Sequence, residues 1–182
     1  MDRRRRLALS VGPALGLAAP AAHAQWIGWL RPPRDWAEVD RELAARCPDV
    51  PLGDDATLAA ALARAAPPLL LDARTPAEWA VSRLPGARPA VAAAGVAAAL
   101  AGTPAAAPVV AYCSIGLRSA RLARRLAADG RAARNLRHGI FGWADAGRPL
   151  VDERGPARLV HPYDAGWGRL LSEARRAPLE TR

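Results

Sequence analysis

The stretch Val109-Val110-Ala111-Tyr112-Cys113-Ser114-Ile115-Gly116-Leu117-Arg118-Ser119 constrains the fold more than any other part of the chain. Val109 to Tyr112 are apolar and β-prone, as expected of a strand buried on both faces of a parallel sheet. From Ser119 onward, small and apolar residues recur at Ser119, Leu122, Ala123, Leu126 and Ala127. That spacing predicts a helix packed on the sheet, stopped by Asp129-Gly130. Arg121, Arg124 and Arg125 fall on the opposite face and are expected to be solvated. A strand, a very short loop and a helix in this order imply an open α/β sheet. Ligands of such sheets bind beyond the carboxyl ends of the strands.

Cys113 occupies that position. The loop residues Ser114, Ile115, Gly116, Leu117 and Arg118 are small or lack an acid, so their backbone N–H groups can curl around one anionic centre. The helix start adds partial positive charge and Arg118 a full one. The reactive form of a cysteine is the thiolate, and such a cradle favours it, or a persulfide anion on the same sulfur. The expectation is that Cys113 is the nucleophile and Arg118 its stabilising cation. Ser114, Ile115, Gly116, Leu117 and Ser119 are then expected to shape the substrate site. A cysteine after a buried strand can also be a packed small hydrophobe. The adjoining Gly116, Arg118 and helix start favour the nucleophile.

These residues resemble the active-site loop of rhodanese-type sulfurtransferases, a cysteine and an arginine spaced C-x-x-G-x-R. Leu69-Leu70-Leu71-Asp72-Ala73-Arg74 is similar to the family's "llDvR" strand. Glu78 with Leu84-Pro85-Gly86-Ala87 is similar to its "E…hipGA" segment. Asn135-Leu136-Arg137-His138-Gly139 with Trp143 is similar to its closing "nL.GG…W". The resemblance runs from Asp54 to about Leu150. It implies an α/β fold, a mostly parallel sheet flanked by helices on both faces. It also implies that Asp72 and Arg74 hold the scaffold as an ion pair. Arg83 stands where the family often has histidine.

The chain has 182 residues, a net charge of +9 and no lysine, so every basic side chain is arginine or histidine. Arg3 to Arg6, the apolar run Leu7 to Ala19 and Ala22-His23-Ala24 predict a signal peptide over residues 1–24, cleaved before Gln25. Its apolar run is shorter than the ~20 residues a spanning helix needs. The reading is a periplasmic or secreted protein, exported by the general or the twin-arginine route, with no transmembrane segment after cleavage. Cleavage leaves 158 residues and removes four arginines and one aspartate, lowering the net charge to +6. No basic stripe interleaved with aromatics marks a nucleic-acid surface. The remaining positive charge favours anionic substrates or a membrane surface. Two cysteines, with neither a CxxC nor a histidine cluster, give no zinc site. Cys47 is expected to end a helix before Pro48 and to be inert. A Cys47–Cys113 disulfide would block the nucleophile.

Residues 25–53 are expected to form a helical lead-in, with Asp35 capping a helix to about Arg46 and Trp36, Val39, Leu43 and Cys47 along one stripe. Residues 54–150 form the main domain. In it Asp54-Asp55 start a helix, and Thr75-Pro76-Ala77-Glu78 reads as a capping box before another. Glu78 thus has a complete structural task. His138 is expected either at the cleft wall or in a surface turn. Residues 151–182 form an extension packing on the domain. His161-Pro162-Tyr163 and Trp167-Gly168 resemble an HPY…WG addition to some single-domain bacterial rhodanese-like proteins. Trp167, Leu170, Leu171 and Ala174 are expected to pack as a clasp on the first helix.

The chemistry the resemblance implies is double displacement without a metal or organic cofactor. Cys113 takes sulfane sulfur from thiosulfate or a persulfide and passes it to a thiol or cyanide acceptor. Protein tyrosine phosphatases and arsenate reductases use a C-x5-R loop. The C-x4-R loop here is one residue tighter and suits a sulfur atom rather than a tetrahedral oxyanion. The mercaptopyruvate-type C-G-x-G-x-T loop is absent, and neutral Ser114-Ile115 lacks the extra charge of some thiosulfate-preferring loops, so the donor stays open. The alternative is a non-enzymatic rhodanese-like module that carries sulfur or binds an envelope partner.

Overall fold

The computed structural model describes residues 31–179. The expected signal peptide and the start of the lead-in, with Trp26 and Trp29, lie outside the described residues.

Five short strands form one sheet: β1 (Leu52–Gly53), β2 (Leu69–Asp72), β3 (Arg88–Pro89), β4 (Val109–Tyr112) and β5 (Ala133–Leu136). Their order is β1-β5-β4-β2-β3, and every pairing is parallel. All four residues of β4 are buried, which is why it reads as an uninterrupted apolar run. The helices between the strands are α2 (Asp55–Leu62), α3 (Pro76–Val81), α4 (Ala92–Leu100) and α5 (Leu117–Ala128). Parallel crossovers are right-handed, so α2 and α3 cover one face and α4 and α5 the other. The chain moves outward from β2 to β3 in one direction and from β4 to β5 in the other. The switch point therefore falls between β2 and β4, whose last residues Asp72 and Tyr112 are in register.

α5 begins at Leu117, two residues before the first residue of its apolar stripe, with Gly116 at the N-cap at φ +97°. Only a residue without a Cβ takes that backbone cheaply. Leu117 and Arg118 thus belong to the first helical turn rather than to the loop.

The lead-in helix, α1 (Trp36–Arg46), has Asp35 as its cap, accepting a hydrogen bond from Glu38 N–H. Val39, Leu43 and Cys47 bury its inner stripe in the common core. Its end is tied to α5, where Arg124 pairs with Asp49 at 2.7 Å and donates to the Arg46 carbonyl. Arg124 is therefore not simply solvated. Trp36 stacks on the His138 ring at 4.2 Å, and Asp40 takes Arg137 and His138.

After α6 (Gly139–Asp145), β6 (Leu150–Val151) and β7 (Pro156–Ala157) form an antiparallel hairpin. Residues further on return to the domain. Val160, Leu170 and Leu171 are buried in the core cluster, and Ser172 binds the Asp145 carboxylate. The expected four-residue helical clasp is replaced by two 3-10 turns, Trp167–Leu170 and Glu173–Arg175, with Ala174 exposed. Three residues per turn cannot keep an α-helical stripe on one face. No helix among the described residues is long and apolar enough to cross a membrane.

Candidate active site

Cys113 follows β4 directly and is 1% exposed. The Gly116 N–H donates to its Sγ at 3.2 Å, closing the loop on the sulfur. The loop carbonyls are held on the outside. Ile140 N–H donates to the Cys113 carbonyl at 2.9 Å and Phe141 N–H to that of Ser114 at 3.1 Å. Asn135 Nδ2 donates to the Gly116 carbonyl at 3.0 Å. In a planar trans peptide the C=O and the following N–H point in opposite directions. The N–H groups of Ser114, Ile115 and Leu117 are therefore turned away from α6 and Asn135. The anion cradle is oriented by what grips its carbonyls.

Gly139 makes that grip possible. It sits at φ +55°, and a Cβ there would lie 2.2 Å from the Cys113 carbonyl oxygen and 2.7 Å from that of Ser114. The close approach of α6 to the loop thus needs a residue with no side chain, in a backbone region that suits glycine.

Arg118 does not stand as an isolated cation. Its Nη1 and Nη2 donate to the two Glu78 carboxylate oxygens at 2.8 and 2.6 Å. Nη2 also reaches Ser114 Oγ at 2.9 Å, and that hydroxyl donates to Glu78 Oε1 at 2.6 Å. Glu78 also completes the capping box of α3, where Oε2 accepts from the Thr75 N–H at 3.0 Å. A carboxylate has acceptor capacity for both tasks. Burial by itself would raise the Glu78 pKa. The Arg118 hydrogen bonds and charge outweigh it, with help from Ser114 and Arg74, and hold it at about 2. The expected purely structural role of Glu78 is therefore incomplete: it anchors the loop arginine.

Asp72 and Arg74 form a fully buried bidentate pair, and Arg74 also donates to the Ser82 and Glu78 carbonyls. Arg74 ties β2 to both ends of α3 and so fixes Glu78. Tyr112, beneath the Arg74 guanidinium, accepts the Leu84 N–H at its hydroxyl. Burial, then the Asp72 charge, push its phenol well above the usual range and keep it neutral.

Cys113, Ser114, Ile115, Leu117 and Arg118 line one cavity. Ser119 does not. It is 0% exposed, and its hydroxyl lies 2.7 Å from Asn135 Oδ1 and 3.2 Å from the Gly116 carbonyl. Its place in the inward stripe of α5 makes it a support of the loop, which corrects its expected part in binding substrate. His138 is also outside the cavity wall, since its ring is held by Trp36 and Asp40. Arg121, expected to be solvated, borders the cavity. So does Cys47, which ends α1 as expected but faces the same space as Cys113.

The remaining walls come from outside the main domain. Leu43 and Arg46 of α1 and Tyr163 and Trp167 of the extension border the cavity. The Tyr163 ring lies 5.3 Å from the Arg118 guanidinium and meets Trp167 edge-on at 6.2 Å. Tyr163 takes φ +71°, and its N–H is fixed by His161 Nδ1 at 2.9 Å. The HPY element thus aims an aromatic ring at the site. Aromatic residues far along the chain carry no local signal of which cavity they will reach.

A parallel sheet with a cysteine-bearing loop at its switch point, closed by the Gly116 N–H on the sulfur, defines an open α/β protein. The chain belongs to the rhodanese-like domain family, whose model matches residues 55–146. Among solved structures it is similar to a thiosulfate sulfurtransferase from Pseudomonas aeruginosa, at 26% identity and a TM-score of 0.53 over 69% of this chain. It spans only 24% of that longer protein. The rhodanese-like domain of the Anabaena Alr3790 protein has the same fold, at 20% identity and a TM-score of 0.51, covering 59% of this chain and 85% of that one. The Bacillus halodurans BH2092 protein is alike at 15% identity and a TM-score of 0.51, over 65% and 88% of the two chains. No curated protein matches in sequence.

Proposed function

We propose that the protein is an exported sulfurtransferase that moves sulfane sulfur through a persulfide on Cys113. The Cys113 thiolate attacks the outer sulfur of the donor. The donor's S–S bond breaks, and its electron pair leaves with sulfite or a thiolate. Cys113 then carries a terminal persulfide sulfur with the negative charge. A thiolate or cyanide acceptor attacks that outer sulfur, and the Cys113 thiolate returns as leaving group. This is covalent catalysis in which each intermediate is an anion. The inward loop N–H groups and the α5 terminus stabilise that charge, with Arg118 behind them. No metal or organic cofactor enters any of these steps.

The observation that carries this reading is the Gly116 N–H on Cys113 Sγ, in a loop whose Cys113, Ser114 and Gly116 carbonyls are tied outward. The test is intact-protein mass spectrometry after treatment with thiosulfate or an organic persulfide. The expected result is a gain of one sulfur atom on the wild type and none on Cys113→Ser. Adding cyanide should discharge it as thiocyanate, turnover after turnover. A protein that loads sulfur but never turns over would be the carrier module instead.

A further inference from the structure

The cavity around Cys113 is walled mainly by Leu43, Ile115, Leu117, Tyr163 and Trp167. Three of these, Leu43, Tyr163 and Trp167, lie outside the family-matched segment 55–146. Its cations are Arg46, Arg118 and Arg121, and two of them are bonded to carboxylates: Arg46 to Glu42 at 2.8 Å, Arg118 to Glu78 at 2.6 Å. The face of the Arg118 guanidinium is further covered by Tyr163. Such a site has little surplus positive charge to compensate the desolvation of a dianion, and a charge buried without compensation is costly. It offers instead apolar surface beside the reacting sulfur. The space holds about 40 Å³, room for roughly three water molecules, which fits a short alkyl group but not an aromatic ring.

Resting on the sulfur-transfer reading, we infer that the donor is a singly charged organic sulfane compound with a compact apolar group, a persulfide R–S–S⁻ or thiosulfonate R–SO₂–S⁻, rather than thiosulfate. Cys113 thiolate attacks the terminal sulfur, the sulfur–sulfur bond breaks, and R–S⁻ or R–SO₂⁻ departs with the electron pair and the single negative charge. The group R stays against Trp167 and Leu117 during the step. The α1 helix and the extension thus act as specificity walls added to a catalytic loop that the main domain supplies.

The test compares benzenethiosulfonate, methanethiosulfonate and thiosulfate as donors, with each kcat/KM divided by the donor's rate with a free thiol. Wild type should prefer the methyl compound over both others by at least about tenfold, the discrimination an apolar pocket gives for a modest difference in bulk. Trp167→Ala should cut the methyl-to-phenyl ratio by about fivefold or more, because the shortened wall admits the ring. Trp167→Phe should keep most of it. A wild-type ratio at or below one, or a lead for thiosulfate, overturns the inference without any variant. So does a Trp167→Ala protein that slows all three donors equally. If some donor loads one sulfur on Cys113 but the order is reversed, only the donor class is wrong. If no donor loads Cys113, the sulfur-transfer reading falls with it.

Discussion

Arg118 of α5 and Glu78 of α3, forty positions apart in the chain, meet through two parallel hydrogen bonds beside the Cys113 loop. The pair joins the α3 cap to the Cys113 loop, so the site cation is positioned by a carboxylate that the fold itself needs.

That pair predicts an acid-labile fold. The folded-state pKa of Glu78 is about 2, against an ordinary 4.5. Between these values the unfolded chain takes up a proton that the folded one refuses, so acid favours unfolding. The stabilisation is complete above about pH 4.5 and is lost as pH falls toward 2, and it amounts to on the order of 3 kcal/mol. Glu78→Gln should lose a similar amount at pH 7, because it leaves Arg118 without its counter-charge. Urea denaturation of both proteins from pH 7 to pH 2 checks this. Their stability difference should shrink as the pH drops.

Cys113→Ser should abolish sulfur transfer, while Cys47→Ser keeps most of it. Cys47 shares the cavity but caps α1, whereas the Gly116 N–H donates to the Cys113 Sγ. Steady-state thiocyanate formation by the two variants decides the assignment, and an active Cys113→Ser protein would refute it.

Arg118→Ala should lower sulfur-transfer kcat/KM by less than the ~10²–10³ typical of losing one anion-stabilising donor. The N–H groups and the helix start remain, and Glu78 already offsets part of the arginine charge. Inserting a glycine after Gly116 should cost more, because it displaces the Gly116 N–H from the sulfur. Wild type and both variants should show no useful hydrolysis of aryl phosphates. Efficient phosphatase activity with no sulfur transfer above free-thiol controls would contradict the size argument for the loop.

Gly139→Ala should be the most damaging single methyl addition near the site. It collides with two loop carbonyls and requires a left-handed alanine. The expected loss is on the order of 3 kcal/mol, with sulfur transfer reduced as the loop shifts. Gly147→Ala is the control. Its φ is also positive, at +71°, but the nearest atom is 3.9 Å away, so only the backbone penalty of about 1 kcal/mol applies. Thermal melts and activity of the two variants should separate the effects.

The signal-peptide reading predicts that envelope fractions contain a chain beginning at Gln25 or within a residue or two. N-terminal sequencing checks it, and an intact Met1 segment on envelope-localised protein counts against export with cleavage.

The strand–loop–helix from Val109 to Ala128 was legible because its signals are local. A short apolar run, an apolar spacing of three and four residues and Gly130 at the helix stop follow from backbone geometry alone, whereas the start of α5 at Leu117 behind a left-handed Gly116 came from the structure. The capping box at Thr75 and Glu78 and the cap at Asp35 were legible for the same reason. Tertiary structure decided what those residues meet. Glu78 has two carboxylate oxygens, and sequence accounts for the one that caps α3. Only the parallel alignment of β2 beside β4 brings the other to Ser114, and both to Arg118. Ser119 fits an apolar stripe equally well as wall or as support, and burial against Asn135 made it support. Tyr163 and Trp167 reach the cavity because Val160, Leu170 and Leu171 bury themselves in the distant core and carry the ring-bearing turns along. Local propensity acts over a few residues. Burial and ion pairing act between whatever surfaces the folded chain brings together, and in this protein they set the walls of the site.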